Sequence, residues 1–370
     1  MKALLLSAYD ASSHRYWRES LRENLNNIHW TQLILPPRFF NWRIRGNPLS
    51  WFAEQYTTLN QPYDFIIATS MVDLATLRGL VPTLTSIPTL VYFHENQFAY
   101  PDSPQQPKPS IDAQITSLYS ALAADHIAFN SIYNQQTFLT GGQQLLQKMP
   151  DHAPLEIISQ LEKKSSILPV PIASAFFQQR PKNNTEPLTL VWNHRWEFDK
   201  APERLYLTLK KLEKSTIKFR LHLLGERFRK SPLIFEKIQT EFAGSLGIID
   251  YIEDLSHYQN VLANADIVIS TSLHEFQGLS ILNAVASGCM PAVPDRLSYC
   301  ELFDKHFRYA SYPDNPEKEA AALCRLLLTL AQKKQQSLKP NLNLTELAWP
   351  KMRPKYQSCF KQLIVHHAQN

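Results

Sequence analysis

A polar turn wedged between two apolar runs holds the chemistry that stands out first. In "ISTSLHEFQGLSILNAVASG", Ile269 to Gly288, a buried-strand pattern gives way to His274-Glu275-Phe276-Gln277-Gly278, and an apolar helix pattern follows and stops at a glycine. Glycine at 278 lets a ligand come close to the backbone. At a helix start the amides of Gly278, Leu279 and Ser280 lack helical partners, and they favour a phosphate. Glu275 repels phosphate, so it is better placed to accept hydrogen bonds from the hydroxyls of a sugar. Asn283 lies about 7 Å further along the helix, which is the length scale of a diphosphate. One segment would then bind sugar, diphosphate and ribose in order, with Phe276 and Gln277 completing the donor-side turn. A buried acid beside a glycine that merely eases packing would look the same.

Other corners carry polar groups of different kinds. In "VWNHRWEFDKAPERLYLTLKKL", Arg195 and Lys200 follow a strand pattern and precede a helix. Two cations there would neutralise the same diphosphate, arginine as a planar fork and lysine as a point charge. The alternative is a salt-bridged surface corner with Glu197 and Asp199, though a cation at a helix start meets an unfavourable dipole. His94 ends the strand of "LVYFHENQFAYP". It could donate to a substrate hydroxyl or carbonyl, or be a satisfied structural histidine. "YDASSHRYWRESL" sets Ser12, Ser13 and His14 before a helix, where Ser13 and His14 could touch a phosphate or the acceptor. A plain N-cap by Ser12 or Ser13 is the competing use. In "PPRFFNWRIRGNPLSWF", Arg38, Arg43 and Arg45 interleave with Phe39, Phe40, Trp42 and Trp51. Guanidinium and aromatic planes together suit unstacked RNA bases and phosphates. An amphipathic surface loop with its aromatics tucked under would share that composition. Arg227, Arg229 and Lys230 form a second basic run. The sequence holds no paired-histidine helix, cysteine quartet, Asp-x-Asp run or P-loop motif, so no metal site is expected.

These corners need strands and helices to hold them. Short apolar runs recur at 3–8, 32–36, 64–70, 89–95 and 125–131, and again at 188–194, 219–226, 247–252, 266–272 and 289–294. Each is followed by a polar corner and a helix-like segment. Continuous apolar strands alternating with helices predict parallel sheets covered on both faces. The runs divide into two doubly wound α/β halves. Near Ser165 a strand runs into a proline-rich polar stretch, which places a linker at about 170–186. The expected domains are 1–172 on the acceptor side, 187–350 for a nucleotide sugar, and a C-terminal helix over 351–370 packing back towards the first. Ligands of open α/β sheets bind beyond the carboxyl ends of the strands, where all these polar corners stand. The segment 101–110 reads as a proline-rich surface loop.

Bulk composition sets the outer limits. At 370 residues, 44% hydrophobic and 19% charged, the chain is an ordinary globular one with room for two cores. A net charge of +5 favours an anionic partner without naming it. Cys289, Cys300, Cys324 and Cys359 show no close-paired spacing, which points to a reducing compartment. The apolar run of "MKALLLSAYDASSH" is too short for a signal peptide, and no run is long enough to span a bilayer. A soluble, cytoplasmic protein without stable membrane association is expected.

With these residues in view, the sequence resembles the retaining glycosyltransferases of the GT-B fold, family 4. Their pattern is a pair of glutamates around a glycine. More narrowly, "YFHENQ", "NHRWEFDKAPE" and "STSLHEFQG" resemble the tRNA-queuosine mannosyltransferase group, over most of the chain. The resemblance implies two Rossmann-like domains facing a central cleft. It implies transfer of mannose from GDP-mannose to the cyclopentenediol of queuosine in a tRNA anticodon. Glu275 would hold the sugar hydroxyls, Arg195 and Lys200 the diphosphate, and His94 would reach the sugar from the opposite domain. Retention would follow without a metal, by front-face attack, with the diphosphate taking the acceptor's proton. The sequence departs from the family at Asn283, where the second glutamate falls, and at "DASSH", where a glycine-rich loop is usual. A transferase acting on a lipid or glycan, or a non-catalytic nucleotide- or RNA-binding module, are the other readings of the same residues.

Overall fold

The computed structural model describes residues 1–99, 110–177, 187–227, 231–335 and 342–369. Positions 101–109 of the expected proline-rich loop, 178–186 of the expected linker, and Arg229 and Lys230 lie outside the described residues.

The first sheet is built from β1 (Lys2–Ser7), β2 (His29–Ile34), β3 (Phe65–Thr69), β4 (Thr89–Phe93), β5 (His126–Phe129) and β6 (Ser165–Ile167). The second comprises β7 (Leu188–Asn193), β8 (Phe219–Leu224), β9 (Leu246–Asp250), β10 (Ile267–Ile269), β11 (Met290–Pro294) and β12 (Arg308–Tyr309). All pairings are parallel. β3, β4 and β11 are buried along their whole length, as strands covered by helices on both faces must be. The edge strand β6 is the strand expected near Ser165, and the other short edge strand, β12, has only two residues and leaves no hydrophobic pattern of its own.

Strand order fixes where a ligand can sit. The first sheet runs β2-β1-β3-β4-β5-β6 and the second β12-β11-β10-β7-β8-β9. Winding therefore reverses between β1 and β3 in one sheet and between β7 and β10 in the other. Helices on either side of such a point diverge and leave a crevice at the carboxyl ends of the two strands.

The chain forms two compact units, Met1–Pro171 with Trp349–Asn370, and Ile172–Ala348. Each has its own apolar core. The final helix, Trp349–His367, belongs to the first unit. Trp17 Nε1 donates to the Tyr356 hydroxyl at 2.9 Å, and that hydroxyl donates to the Pro169 carbonyl at 3.0 Å. Phe360 packs on Phe65 of β3 with ring centres 5.0 Å apart.

Candidate active site

In the second unit the strand ends at the reversal point bring two distant corners together. β7 leads into His194-Arg195 and on to Asp199-Lys200, and β10 leads into Ser270 through Glu275. Two bonds to backbone carbonyls stitch the corners: Leu273 N–H donates to the Asp199 carbonyl at 2.7 Å, and the Thr271 hydroxyl donates to the Lys200 carbonyl at 2.6 Å. The Lys200 ammonium is buried and donates to the His274 carbonyl at 2.8 Å. Its other oxygen neighbours are Asp199 Oδ2 at 3.1 Å and Glu275 Oε2 at 3.3 Å. Three protons thus meet three acceptors.

Charge holds this cluster in its ionised form. Burial alone pulls the Lys200 ammonium towards losing its proton, but Asp199 and Glu275 outweigh it and raise its pKa. Burial pushes the Glu275 carboxyl up, and the Lys200 charge pulls it below the ordinary value. Asp199 is likewise held well below the usual range, against its burial, chiefly by Lys200. His194 is pushed down to about 3 by burial and by the Lys200 charge, so its ring is neutral. Its Nε2 has no partner among the described residues.

Glu275 is therefore an oriented, ionised acceptor. Oε1 accepts from the Gly278 N–H at 3.2 Å and Oε2 faces Lys200, so each oxygen keeps a lone pair for a ligand hydroxyl. Gly278 caps the helix Leu279–Ala286 in the left-handed region at φ 74°, ψ 48°. A Cβ there would stand 3.1 Å from Tyr299 Cε1, so the absent side chain makes room for the tyrosine ring. Phe276 and Gln277 are buried in the same turn, and Leu279 is half-buried at the helix start.

Several roles expected from the sequence change here. The Gly278 amide is not open for a phosphate, because Glu275 takes it. Lys200 is no free hand for a diphosphate either; it anchors Glu275 from below. Arg195 does remain at the surface, its side chain 45% exposed with Nη2 3.0 Å from Glu197 Oε2. The salt bridges weighed as an alternative for this corner both form, Arg195 with Glu197 and Lys200 with Asp199. Asn283 is half-buried, and its side chain bonds the Tyr258 hydroxyl, which also accepts from Asn193 Nδ2 at 2.6 Å. Asn283 Oδ1 has no partner among the described residues.

The first unit has a second polar cluster at its own reversal point. His14, from the helix after β1, and His94, from the end of β4, stack with ring centres 4.2 Å apart. His14 Nε2 lies 3.0 Å from Glu95 Oε2, and Ser70 Oγ, just past β3, donates to Glu95 Oε1 at 3.4 Å. His94 is buried, with Trp17 edge-on at 4.8 Å, and its Nε2 has no partner among the described residues. Burial, helped by His14, holds His94 well below the ordinary imidazole pKa, so it is neutral at pH 7. Ser13 is exposed in the first turn of the helix Ser12–Asn24, and no side chain caps that helix.

The expected RNA-binding arginines separate. Residues 40–59 are helical with a kink at Gln55, not a loop. Arg43 is buried on its inner face, and Arg45 pairs with Asp73 at 2.5 Å and Asp112 at 3.7 Å. Arg38 alone of the three has neither fate: it is exposed, its guanidinium 5.7 Å from the Phe39 ring centre. Sequence reading gave Asp199 only a surface salt bridge and assigned no role to Tyr258 or Tyr299. It placed Glu95 and His194 after strands without giving them one.

Comparison with known proteins places this geometry. Residues 2–172 match the family model described as tRNA-queuosine alpha-mannosyltransferase N-terminal, and residues 174–342 match glycosyl transferases group 1. A tRNA-queuosine alpha-mannosyltransferase of Drosophila melanogaster is 32% identical over 373 residues, covering 98% of this chain and 97% of the relative. The chain belongs to the tRNA-queuosine alpha-mannosyltransferase family. Among solved structures, sucrose-phosphate synthase of Thermosynechococcus elongatus aligns with a TM-score of 0.69 at 14% identity, over 99% of this chain and 100% of that one. Anabaena HepE in complex with UDP and glucose aligns with a TM-score of 0.66 at 12% identity, over 98% and 100%. At such identities the likeness concerns the fold, which is GT-B: two Rossmann-like α/β units. Among the described residues no helix is long and apolar enough to cross a membrane.

Proposed function

We propose that this glycosyltransferase moves mannose from GDP-mannose to queuosine in a tRNA anticodon, with retention at the anomeric carbon. The second unit takes the donor. Glu275 accepts from the sugar hydroxyls, held in place by Lys200 and the Gly278 amide. Arg195 meets the diphosphate, and the Asn193–Tyr258–Asn283 group offers polar atoms to the ribose. The first unit takes the acceptor, where Glu95, braced by His14 and Ser70, can accept from a diol, and Ser13 lies exposed nearby. His94 is neutral and keeps Nε2 for the reacting partners.

The bond from the anomeric carbon to the diphosphate oxygen breaks as the acceptor hydroxyl bonds to the same face of that carbon. Its proton passes to the departing diphosphate. Arg195 and the helix Leu279–Ala286 behind Gly278 favour the negative charge that builds up on that group. No metal is assigned to this step, and transfer is expected to continue in excess chelator. The protein would work in the cytoplasm, where its tRNA substrate is found.

The observation that carries the reading is Glu275, kept ionised and oriented at a sheet reversal point in a chain of this family. The test is mass spectrometry of tRNA nucleosides after incubation of the purified protein and queuosine-containing tRNA with a panel of nucleotide sugars. A hexose added to queuosine only from GDP-mannose is the expected result. A different donor, or a hexose on another nucleoside, would overturn it.

A further inference from the structure

One face of the helix Phe40–Leu59 is unused by the transfer chemistry. Trp42, Arg45, Leu49 and Phe52 follow at spacings of three and four residues, which puts them on one stripe; Tyr56 lies just past a kink at Gln55, and all five are exposed. Phe52 and Tyr56 touch edge to face, with ring centres 5.4 Å apart. Phe39, at the head of the helix, is 69% exposed and sits in the left-handed region at φ 56°, ψ 57°. That is a rare, strained conformation for a bulky residue, here spent on presenting a ring to solvent.

The stripe is rigidly mounted. Asn47, fully buried, donates to the Arg43 carbonyl at 2.7 Å and to the Met71 carbonyl at 3.2 Å, and accepts from the Asp73 N–H at 3.3 Å. Arg45 pins the same helix to Asp73. These bonds tie the helix to the corner after β3, and Phe40 meets Tyr9, just past β1, at 6.1 Å. The face therefore stands at the carboxyl edge of the first sheet, beside the His14–Glu95 cluster. Trp42 lies flat over Gly46, where a Cβ would come within 2.5 Å of the indole.

We propose that this stripe is a stacking platform for the unpaired bases of an RNA loop; the inference rests on the tRNA acceptor proposed above. Phe39, Trp42, Phe52 and Tyr56 are rings, and a flat ring is what an unstacked base needs. Arg38, exposed beside Phe39 at the head of the stripe, is the cation left for a phosphate, so the rings carry the recognition more than charge does. Asp73 and Asp112 beside it are already paired with Arg45. Because the helix that carries the rings is tied down before binding, its backbone loses little ordering entropy on contact.

The test compares the full chain with Trp42→Ala and Phe52→Ala, titrated with a labelled anticodon stem-loop RNA and with a blunt RNA duplex of equal length at two salt concentrations. The wild type should prefer the stem-loop. Each substitution should weaken that affinity by about tenfold, the scale of one lost base-ring stack. Duplex binding, salt slope and melting temperature should hold. Unchanged stem-loop affinity in both variants overturns the proposal, as does a wild type that binds duplex equally well. A loss of self-association or of binding to anionic phospholipid vesicles, with RNA affinity intact, assigns the face to a second copy or a lipid surface and equally overturns it. Wild-type protein that binds the stem-loop through these rings yet adds no hexose to queuosine would sink the transfer reading and leave the platform standing.

Discussion

Replacing Lys200 by methionine separates an anchor from a phosphate hand. The ammonium is buried and meets Asp199, Glu275 and the His274 carbonyl within 3.3 Å. Methionine fills much of the space but leaves two buried carboxylates facing each other. Breaking a buried ion pair on one side costs about 3–5 kcal/mol. For a unit of this size that lowers the melting temperature by about 6–20 °C at pH 7. If Lys200 instead pointed at a diphosphate, its loss would weaken nucleotide binding by about 1.5–3 kcal/mol and leave the melt nearly unchanged.

The pH dependence gives a second handle with a fixed sign. In the wild type, Asp199 and Glu275 sit below their unfolded values, about 3.9 and 4.3. Their stabilising effect is present above those values and is lost as pH falls through the folded ones. Without Lys200, burial and mutual repulsion push both carboxyls up, and protonation then relieves the variant as pH falls. His194, pushed down to about 3 partly by Lys200, costs the wild type stability as pH falls below about 6.5, and costs the variant less. The gap between the two melting temperatures should therefore narrow from pH 8 to pH 5. Melts by circular dichroism across that range measure it. A gap that stays constant, or a variant as stable as the wild type at pH 7, would refute the anchor.

Other expected outcomes follow from the same geometry. Arg195→Ala removes a surface pair of small worth, so melting should shift little while GDP affinity by calorimetry drops tenfold or more. Glu275→Gln should lower kcat far more than GDP affinity, because GDP carries no sugar; equal losses would assign the residue to the nucleotide. Asn283→Ala should weaken donor binding by about 1 kcal/mol, since its unpartnered Oδ1 is placed to accept a hydroxyl, and the Tyr258–Asn193 bond should keep the unit folded. A large melting loss with unchanged donor affinity would make Asn283 structural.

What the sequence displays is local, and the parts of the site that depend only on local order were legible. Continuous apolar runs marked ten of the strands, and the polar residues directly after them were the ones that cluster. Pairing between corners is a different matter. Lys200 and Glu275 are 75 residues apart. They meet because β10 lies beside β7, a neighbour set by the winding of the sheet and not by either segment. Nothing in "EFDKAPE" indicates that its lysine turns inward, so its charge was read as free. Asp199 was legible as a salt-bridge partner of its neighbour Lys200, but not as a buried one.

The arginines of 38–45 show how phase decides where residue type does not. Three cations among aromatics suit RNA by composition alone, but a helix distributes them over different faces. Gly46 and Pro48 argue against a helix on propensity, and both prove to have positional reasons. Gly46 leaves room for the Trp42 ring, while Pro48 sits on the buried side of a helix that Asn47 bolts to the corner after β3. Once the segment is helical, position 43 is buried and position 45 pairs with Asp73, so neither is left on the surface as a free cation. The spacing then brings Trp42, Leu49 and Phe52 outward together, and Tyr56, past the kink at Gln55, meets Phe52. A polyanion meeting this unit would find rings first and guanidinium groups second, which is the order expected where bases, more than phosphates, must be held still for chemistry.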